Sequence, residues 1–498
     1  MNLARGLYDI WTLGMAHLIG LRRPARAVEY MRQRRALLSY AAASRKGANR
    51  NWRPANKTAD EHIRRDWAWV TARARDLARN SAHVSGALEK ICNNVIFTGI
   101  RPQAQLRTAQ GRLDRARNTR AEDHFRRWAE HRRVDFYGKQ ELALRHCWVD
   151  GEALVHFYES ARLLREGVVP LGLEILEADH LDASVHGELA NGNRAVRGVE
   201  FDAEGAPVAY HLFSEHPGGL GPMGRSARAS ARVPAERVAH VFAPKRASQT
   251  RGMSWLAAVI MEMHDFDEYQ DAERIAARLT AAFGFFVETP YPEAMDPAHF
   301  GGALPGGHEG GEVRLPDFVE PGRIQIMPAG TKINAAGFTR PGMTYEPFSK
   351  VQLRGASAGL GMSYEAYSND YTDASYSSAR SAALEERRGY QKQQIFLNRA
   401  FNRPVWDLWS RFLFLSGLED LGPEIPVTWQ TPGWPWVDPY KDASAAKLEL
   451  ALGSTSRRRI AASRGQDLDE IMDELAEEQT FFGGLQAKEN GNAQAQEE

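Results

Sequence analysis

From Asp60 to Ile96 the apolar residues return every three or four positions, and Ile63, Trp67, Val70, Ala74 and Leu77 fall on one stripe. That spacing predicts a helix over 60–96 with Asp60 as its N-cap, and a second helix over about 119–133. From 152 to 243 the period shortens. "EALVHFY", "LGLEILEA", "AVRGVEFD", "PVAYHLF" and "RVAHVFAP" are short, apolar and partly alternating, and "DAEGAP" separates two of them as a hairpin turn. This predicts an antiparallel β module. Residues 253–288 contain no proline, and Leu256, Val259, Met263, Phe266, Ile275, Leu279, Phe283 and Phe286 keep helical spacing. A continuous helix there spans roughly 50 Å. Residues 289–343 are rich in Gly and Pro, with "RIQIMP" as a short strand. A helix over 344–358 follows, then the polar loop "SNDYTDASYSS" and a helix over about 378–416 that Pro404 should kink or split. The extended connector "WQTPGWPWVDPYKD", the helices "DASAAKLELALG" and "DLDEIMDELAEEQ", and a polar tail expected to be disordered complete the pattern.

Composition adds little to this order of parts, but charge adds more. With 43% hydrophobic and 25% charged residues the 498-residue chain is an ordinary globular sequence, long enough for several packed modules. No run reaches the roughly 18 apolar residues that a spanning helix needs, and the short apolar segment near the N-terminus lacks a cleavage site behind it. Two cysteines fit a reduced compartment without a disulfide framework or zinc cluster. The net charge of zero conceals a polarity: residues 1–150 carry 30 Lys+Arg against 14 Asp+Glu, and the remainder carries 33 against 49. A basic face of this kind is either simply solvated or matched to an acidic partner, nucleic acid or a neighbouring subunit.

The motifs that suggest chemistry lack their contexts. "GLGPMG" at Gly219–Gly224 matches a dinucleotide fingerprint, but no apolar helix follows it to meet a pyrophosphate. "GASAG" at Gly355–Gly359 matches a nucleophile elbow around Ser357, yet no histidine follows Ser357 anywhere in the chain. Small residues there suit close helix packing. No Walker A sequence and no H-E-x-x-H occurs. The acids of "HDFDEYQDAE" lack calcium-loop spacing and read as the polar face of a helix. No catalytic residue, metal ligand or cofactor is therefore expected.

Four stretches in order carry a resemblance: "RARDLARNSAHVSGALEKICNNVIFTGI", "RVAHVFAPKRASQTRGMSWLAAVI", "DYTDASYSSARSAALEERRGYQ" and "DPYKDASAAKLELALGSTSRRRIAASRGQDLDEIMDELAEEQ". Together they cover roughly residues 50–480, and the chain resembles the lambda-like portal proteins of tailed bacteriophages. The resemblance implies an α+β portal fold in a ring of about twelve subunits at one capsid vertex, around an axial channel for double-stranded DNA. It implies a basic N-terminal arm (1–50), a β-rich wing (51–253), a stem helix (254–288), a distal clip (289–343) and a second stem helix (344–363). A tunnel loop (364–377), a long kinked helix and connector of the wing (378–437), a helical crown (438–480) and a tail (481–498) follow. The implied partners are terminase, the major capsid and scaffolding proteins and head–tail connector proteins, in a virion assembled in the host cytoplasm, with no membrane. The rival readings are a packaging or maturation enzyme, either motor ATPase or serine protease, and a different virion adaptor ring, which is generally a much shorter chain.

The resemblance places Ser368, Asn369, Asp370, Tyr371, Thr372, Asp373, Ser375 and Tyr376 in a loop facing DNA. It places Glu262, Asp265, Glu268, Lys350 and Arg354 on the channel wall, and Leu256, Val259, Met263 and Phe266 between subunits. Small hydroxyl and amide side chains touch phosphates without the large counterion release of Lys and Arg, which suits a strand that must slide. Asp370 and Asp373 are expected to add mild repulsion. Tyr371 and Tyr376 are open to a second reading, packing against a neighbouring subunit.

Overall fold

The computed structural model describes residue 51 and residues 54–219, 229–282, 286–288, 325–327 and 345–480. The arm at 1–50, most of the Gly/Pro-rich segment, most of the "GLGPMG" motif and the tail at 481–498 lie outside the described residues. The chain divides into two units, Met1–Thr58 and Ala59–Glu498, and the second carries everything below.

α1 (Ala59–Asn80) buries Ile63, Trp67, Ala74 and Leu77, the stripe expected from spacing. The expected single helix ends at Ser81, whose extended backbone (φ −86°, ψ 118°) starts α2 (Ala82–Val95) as a separate rod. Asp60 lies inside the first turn of α1, where its carboxylate accepts the Thr250 amide at 2.8 Å rather than capping its own helix. β1 (Arg101–Ala104) leads to α3 (Arg115–Ala129), which starts four residues before the expected position because Asp114 accepts the Arg117 amide as its N-cap. α4 (Phe136–Val149) was not legible as a helix. It buries residues on several sides, including Phe136, Gln140, Leu144 and Cys147, so no amphipathic period marks it.

β2 (Glu152–Glu159), the short α5 (Ala161–Arg165) and β3 (Leu171–Leu176) follow. Then come β4 (Gly187–Glu188), β5 (Arg194–Val196), β6 (Val199–Phe201), β7 (Pro207–Leu212), β8 (Ala231–Pro234) and β9 (Val238–Phe242). They form two antiparallel sheets of order β3-β2-β9 and β4-β5-β6-β7-β8. "AVRGVEFD", expected as one strand, is a hairpin: Arg197 (φ 50°) and Gly198 (φ 90°) reverse the chain so that Val196 pairs with Val199. The alternation of β2 is resolved by burial on both faces. Ala153, Val155 and Phe157 enter the main core under the helices, and Leu154 enters a second core with Leu181, Val199, Tyr210 and Leu212.

The continuous helix expected over 253–288 is shorter: a 3₁₀ turn at Trp255–Ala258 precedes α6 (Ile260–Ala282), and Phe286 lies in a strand instead. β10 (Phe286–Glu288) and β11 (Gln325–Met327) pair in parallel. α7 (Tyr345–Leu360), α8 (Tyr364–Ser368) and α9 (Tyr376–Leu397) come next. A π turn over Asn398–Asn402 separates α9 from α10 (Arg403–Leu415), and Pro404 occupies the first turn of α10, where a missing N–H costs nothing. The long helix is thus split at the place the proline indicated. β12 (Val427–Gln430), which runs into the start of the expected connector, pairs antiparallel with β1 more than 300 residues earlier, a contact that local pattern cannot encode. α11 (Pro439–Ala451), α12 (Arg457–Ser463) and α13 (468–480) close the described chain.

One buried junction joins these parts. Gly151 (φ 94°) lies against the backbone of Met253, and Gly252 lies against Gly151, so closely that a Cβ at either position would collide with main chain. Beside this crossing Arg251 is 1% exposed and Glu152 fully buried. Arg251 donates to Glu152 at 2.7 Å and to the carbonyls of Arg197 (3.0 Å) and Ala178 (3.1 Å), with Trp67 5.4 Å from the guanidinium. The other Glu152 oxygen accepts the Gly252 amide at 2.6 Å and lies 2.8 Å from His240. Burial alone would raise the Glu152 carboxyl, but Arg251 and His240 hold it at about 2. Because removing one partner strands a buried charge, Arg251→Met should cost about 3–5 kcal/mol in chemical denaturation at pH 7. The double variant with Glu152→Gln should recover part of that loss.

Candidate functional site

The polar segment at 364–377 is more ordered than a loop. Ser363 accepts the Ala366 amide as N-cap of α8, and Asn369 (φ 58°) ends that helix in the left-handed conformation. Lys90 of α2 donates to the Ala366 carbonyl and to Asn369 Oδ1, fixing the end of α8 to the body. At the far end Ser375 and Ser378 form a reciprocal capping box on α9. The loop proper is therefore 369–375.

Two charged residues of α7 face it. Lys350 pairs with Glu346 (2.9 Å) and Asp373 (3.1 Å) and lies 3.8 Å from Asp370. The bonds to Glu346 and Asp373 raise the Lys350 ammonium well above its ordinary value. Asp370 accepts from the hydroxyl of Thr372 (2.6 Å), that of Tyr364 (2.8 Å) and the Thr372 amide (3.0 Å), which hold its carboxyl far below the usual range. Arg354 stacks over Tyr364 at 5.1 Å. The expected repulsive role of Asp370 and Asp373 is thus modified: both carboxylates are engaged by the protein. Tyr371 and Tyr376 are each 58% exposed, and Thr372 and Ser375 are exposed beside them. Ser368, in contrast, turns back onto the Tyr364 carbonyl at 2.7 Å.

Behind the loop the start of α6 meets α7 at the small residues of "GASAG": Gly355 lies against the Glu262 carboxylate, which a Cβ would displace, and Gly359 lies tightly against the Val259 side chain. Ser357 is buried and donates to the Arg354 carbonyl at 3.0 Å, within its own helix. Tyr367 of α8 donates to Met263 Sδ at 3.1 Å. Asp265 and Glu268 are exposed on α6, and Glu262 is half-buried. The expectation for Leu256, Val259, Met263 and Phe266 needs correction. They are 1%, 2%, 1% and 2% exposed in the chain's own core, together with Leu353, Ala356, Leu360 and Tyr367. The apolar stripe was real, but α1, α2, α7 and α8 of the same chain already pack against it, so no surface is left there for a neighbour.

Two other charged clusters gave no signal in the sequence, because their members come from distant segments. Glu177, Asp179 and His216 bring possible ligand atoms together, but Arg75 already pairs with Glu177 (2.9 Å) and Asp179 (2.5 Å). A cavity of about 460 Å³ lies between β1, α3, β12 and the start of α13, with Glu122, Gln103, Asp467 and Glu470 in its lining. Glu122 accepts the Ala104 amide at 2.7 Å, yet burial, with Asp467 and Glu470 adding to it, raises its carboxyl to about 7.

No catalytic constellation assembles around the polar loop among the described residues, and the loop presents exposed hydroxyls at the surface. A family model described as phage portal protein, lambda family, matches residues 45–394. The chain belongs to that family, a structural rather than an enzymatic one. It is 29% identical over 449 residues to a probable portal protein of Halomonas phage phiHAP-1, covering 86% of this chain and 83% of that protein. It is 24% identical over 473 residues to portal protein B of Escherichia phage lambda (85% and 86%), and 24% identical over 479 residues to the portal protein of Escherichia phage N15 (85% and 86%). Among solved structures, a chain from the neck of an empty GTA particle aligns at TM-score 0.36 and 15% identity, over 79% of this chain and 93% of that one. No described helix is long and apolar enough to cross a membrane.

Two outcomes follow. Lys350→Met should release Asp373 and speed hydrogen exchange of the 369–375 amides severalfold, with the midpoint of global unfolding unchanged because the pairs are exposed. Because the folded Glu122 carboxyl titrates above its unfolded value, the native state holds the proton more tightly. Stability is then lost as pH rises from about 4.5 to about 7. Glu122→Gln should therefore raise stability at pH 8, on the order of 1–2 kcal/mol after allowance for partial exposure. At pH 5 the difference should be small, which thermal melts at the two pH values would show.

Proposed function

We propose that this portal protein forms a ring of about twelve subunits at one capsid vertex and conducts double-stranded DNA during packaging and ejection. Terminase, the capsid and scaffolding proteins and the head–tail connector proteins dock on it. The observation that carries this reading is family membership across 45–394, a span that includes the polar loop and both helices behind it. In this reading 51–253 with 378–437 is the wing, 254–288 and 344–363 the stem, 289–343 the clip, 364–377 the tunnel segment and 438–480 the crown. No catalytic step is assigned to the chain.

The local charge balance supports a channel loop. Lys350 is neutralised by Glu346, Asp370 and Asp373, which leaves Arg354, stacked over Tyr364, as the exposed cation of α7 near the segment. What remains outward is Tyr371, Thr372, Ser375 and Tyr376. Hydroxyls of this kind bond phosphate oxygens one at a time, without counterion release, and so do not arrest a sliding duplex. Asp265 and Glu268 on α6 keep an acidic wall in the same scheme.

Electron microscopy of purified protein tests the ring: closed rings with a central hole are expected, and a protein that stays monomeric at micromolar concentration would sink the reading. Tyr371→Lys tests the loop without disturbing its Asp370 and Ser375 turns. It adds about one positive charge per subunit, or about a dozen in a twelvefold ring, and should steepen the salt dependence of DNA retention. Rings of normal yield with slow packaging at low salt, relieved at high salt, are expected. Normal low-salt packaging would remove the loop from the DNA path.

A further inference from the structure

We infer that the C-terminal helix α13 of one chain docks, by its apolar stripe, onto the exposed face of α9 in a second copy of this chain. The inference rests on the ring reading and specifies one of its contacts.

α13 is a helix with an unoccupied stripe. Leu468, Met472, Leu475 and Gln479 recur at i, i+4, i+7 and i+11, which places them on one face. Residues 472–480 are all exposed, with Met472 at 50% and Leu475 at 44%. Its own chain holds only its first turns, from the side. Arg115 pairs with Asp473 at 2.8 Å, Arg458 with Asp469 at 2.6 Å, and Gln103 donates to Asp467 at 2.5 Å. Asp469 and Asp473 lie about 90° and about 130° from the centre of the stripe at 100° per residue, so these contacts leave it uncovered. Around the stripe residues 468–480 carry six acids and no Lys or Arg.

α9 offers the complement. Leu384, Arg388, Gln391 and Ile395 repeat the same i, i+4, i+7, i+11 spacing, and Leu384 (47%) and Ile395 (68%) are exposed. Beside this face runs a groove of about 380 Å³ lined by Leu384, Arg387, Arg388, Gln391, Trp434 and Trp436. Arg387 lies over Trp434 at 5.7 Å and Arg464 over Trp436 at 4.4 Å, so cations stand on an aromatic floor. Among the described residues Arg388 pairs with the exposed Glu385, at 3.3 Å, a pair of little worth. The surface is thus apolar at both ends and cationic between, whereas α13 is apolar along one line and anionic on its flanks. Charge complementarity of this kind selects the partner and fixes its register.

The test uses full-length chains carrying one added cysteine each. Chains with Leu384→Cys, Gln391→Cys or Ile395→Cys are mixed with chains carrying Met472→Cys or Leu475→Cys and mildly oxidised. A disulfide between two differently substituted chains is necessarily intermolecular. The natural thiols interfere little, since Cys92 and Cys147 are buried and burial pushes both thiols up, Cys92 to about 12. In assembled rings at least one pairing should crosslink at least about tenfold above a Tyr158→Cys control, as expected for a raised effective concentration. Arg388→Glu should lower that crosslinking and Glu474→Arg in the partner chain should restore it. Rings that assemble normally without any such disulfide overturn this inference and leave the ring reading intact. Monomers without disulfides overturn both. Crosslinking confined to a single chain carrying both cysteines, or DNA protecting the α9 thiols while α13 stays reactive, also overturns it.

Discussion

The crossing at Gly151 and Gly252, with the Glu152–Arg251 pair beside it, is the constraint on which the arrangement depends. Two segments 100 residues apart meet there backbone to backbone, which only glycine allows. Their approach buries a carboxylate and a guanidinium that could not be buried separately. Arg251 also donates to the carbonyls of Ala178, just after β3, and Arg197, in the β5–β6 turn, so it touches both sheets of the β module. The chain leaves this point directly into the Trp255 turn and α6, so the direction of α6 is inherited from the junction. Asp60, bonded to the Thr250 amide, ties α1 to the same turn.

From α6 the constraint passes to the polar loop. Gly355 and Gly359 let α7 lie close on α6, and Met263 and Phe266 are covered by Leu353, Leu360 and Tyr367. α8 is then pinned by Lys90, and the loop that follows has its two acids gathered on Lys350. An ordered backbone carrying exposed hydroxyls, with Lys350 paired beneath it, is a consequence of this packing. A floppy loop of the same composition would present Lys350, Asp370 and Asp373 as separate charges.

The same packing explains which faces remain uncovered. α6 buries its strongest apolar stripe against α1 and α7 of the same chain, so any further association must use weaker and more polar faces. α11 buries no residue at all, and α13 only touches its own chain at its start. These helices end a family member whose relatives are portal proteins, and their exposed apolar positions sit among charges rather than in a continuous patch.

The sequence by itself determined the element types over most of the chain: the stripe of α1, the strands β2, β3, β7 and β9, α7, α11, and the break in the long helix at Pro404. It also determined the family, because four stretches in order suffice where no single motif does. Those signals are local, and local period and turn chemistry are what a chain writes into neighbouring residues. Tertiary structure alone decided the rest. Ser81 breaks a helix that spacing makes continuous, and α4 has no period because it is buried on several sides. β12 is a strand only because β1, far away in sequence, supplies its partner. The stripe of Leu256, Val259, Met263 and Phe266 shows the limit most plainly: an apolar face states that something must cover it, and only the folded chain states that the cover is its own helices, α1, α2, α7 and α8 among them.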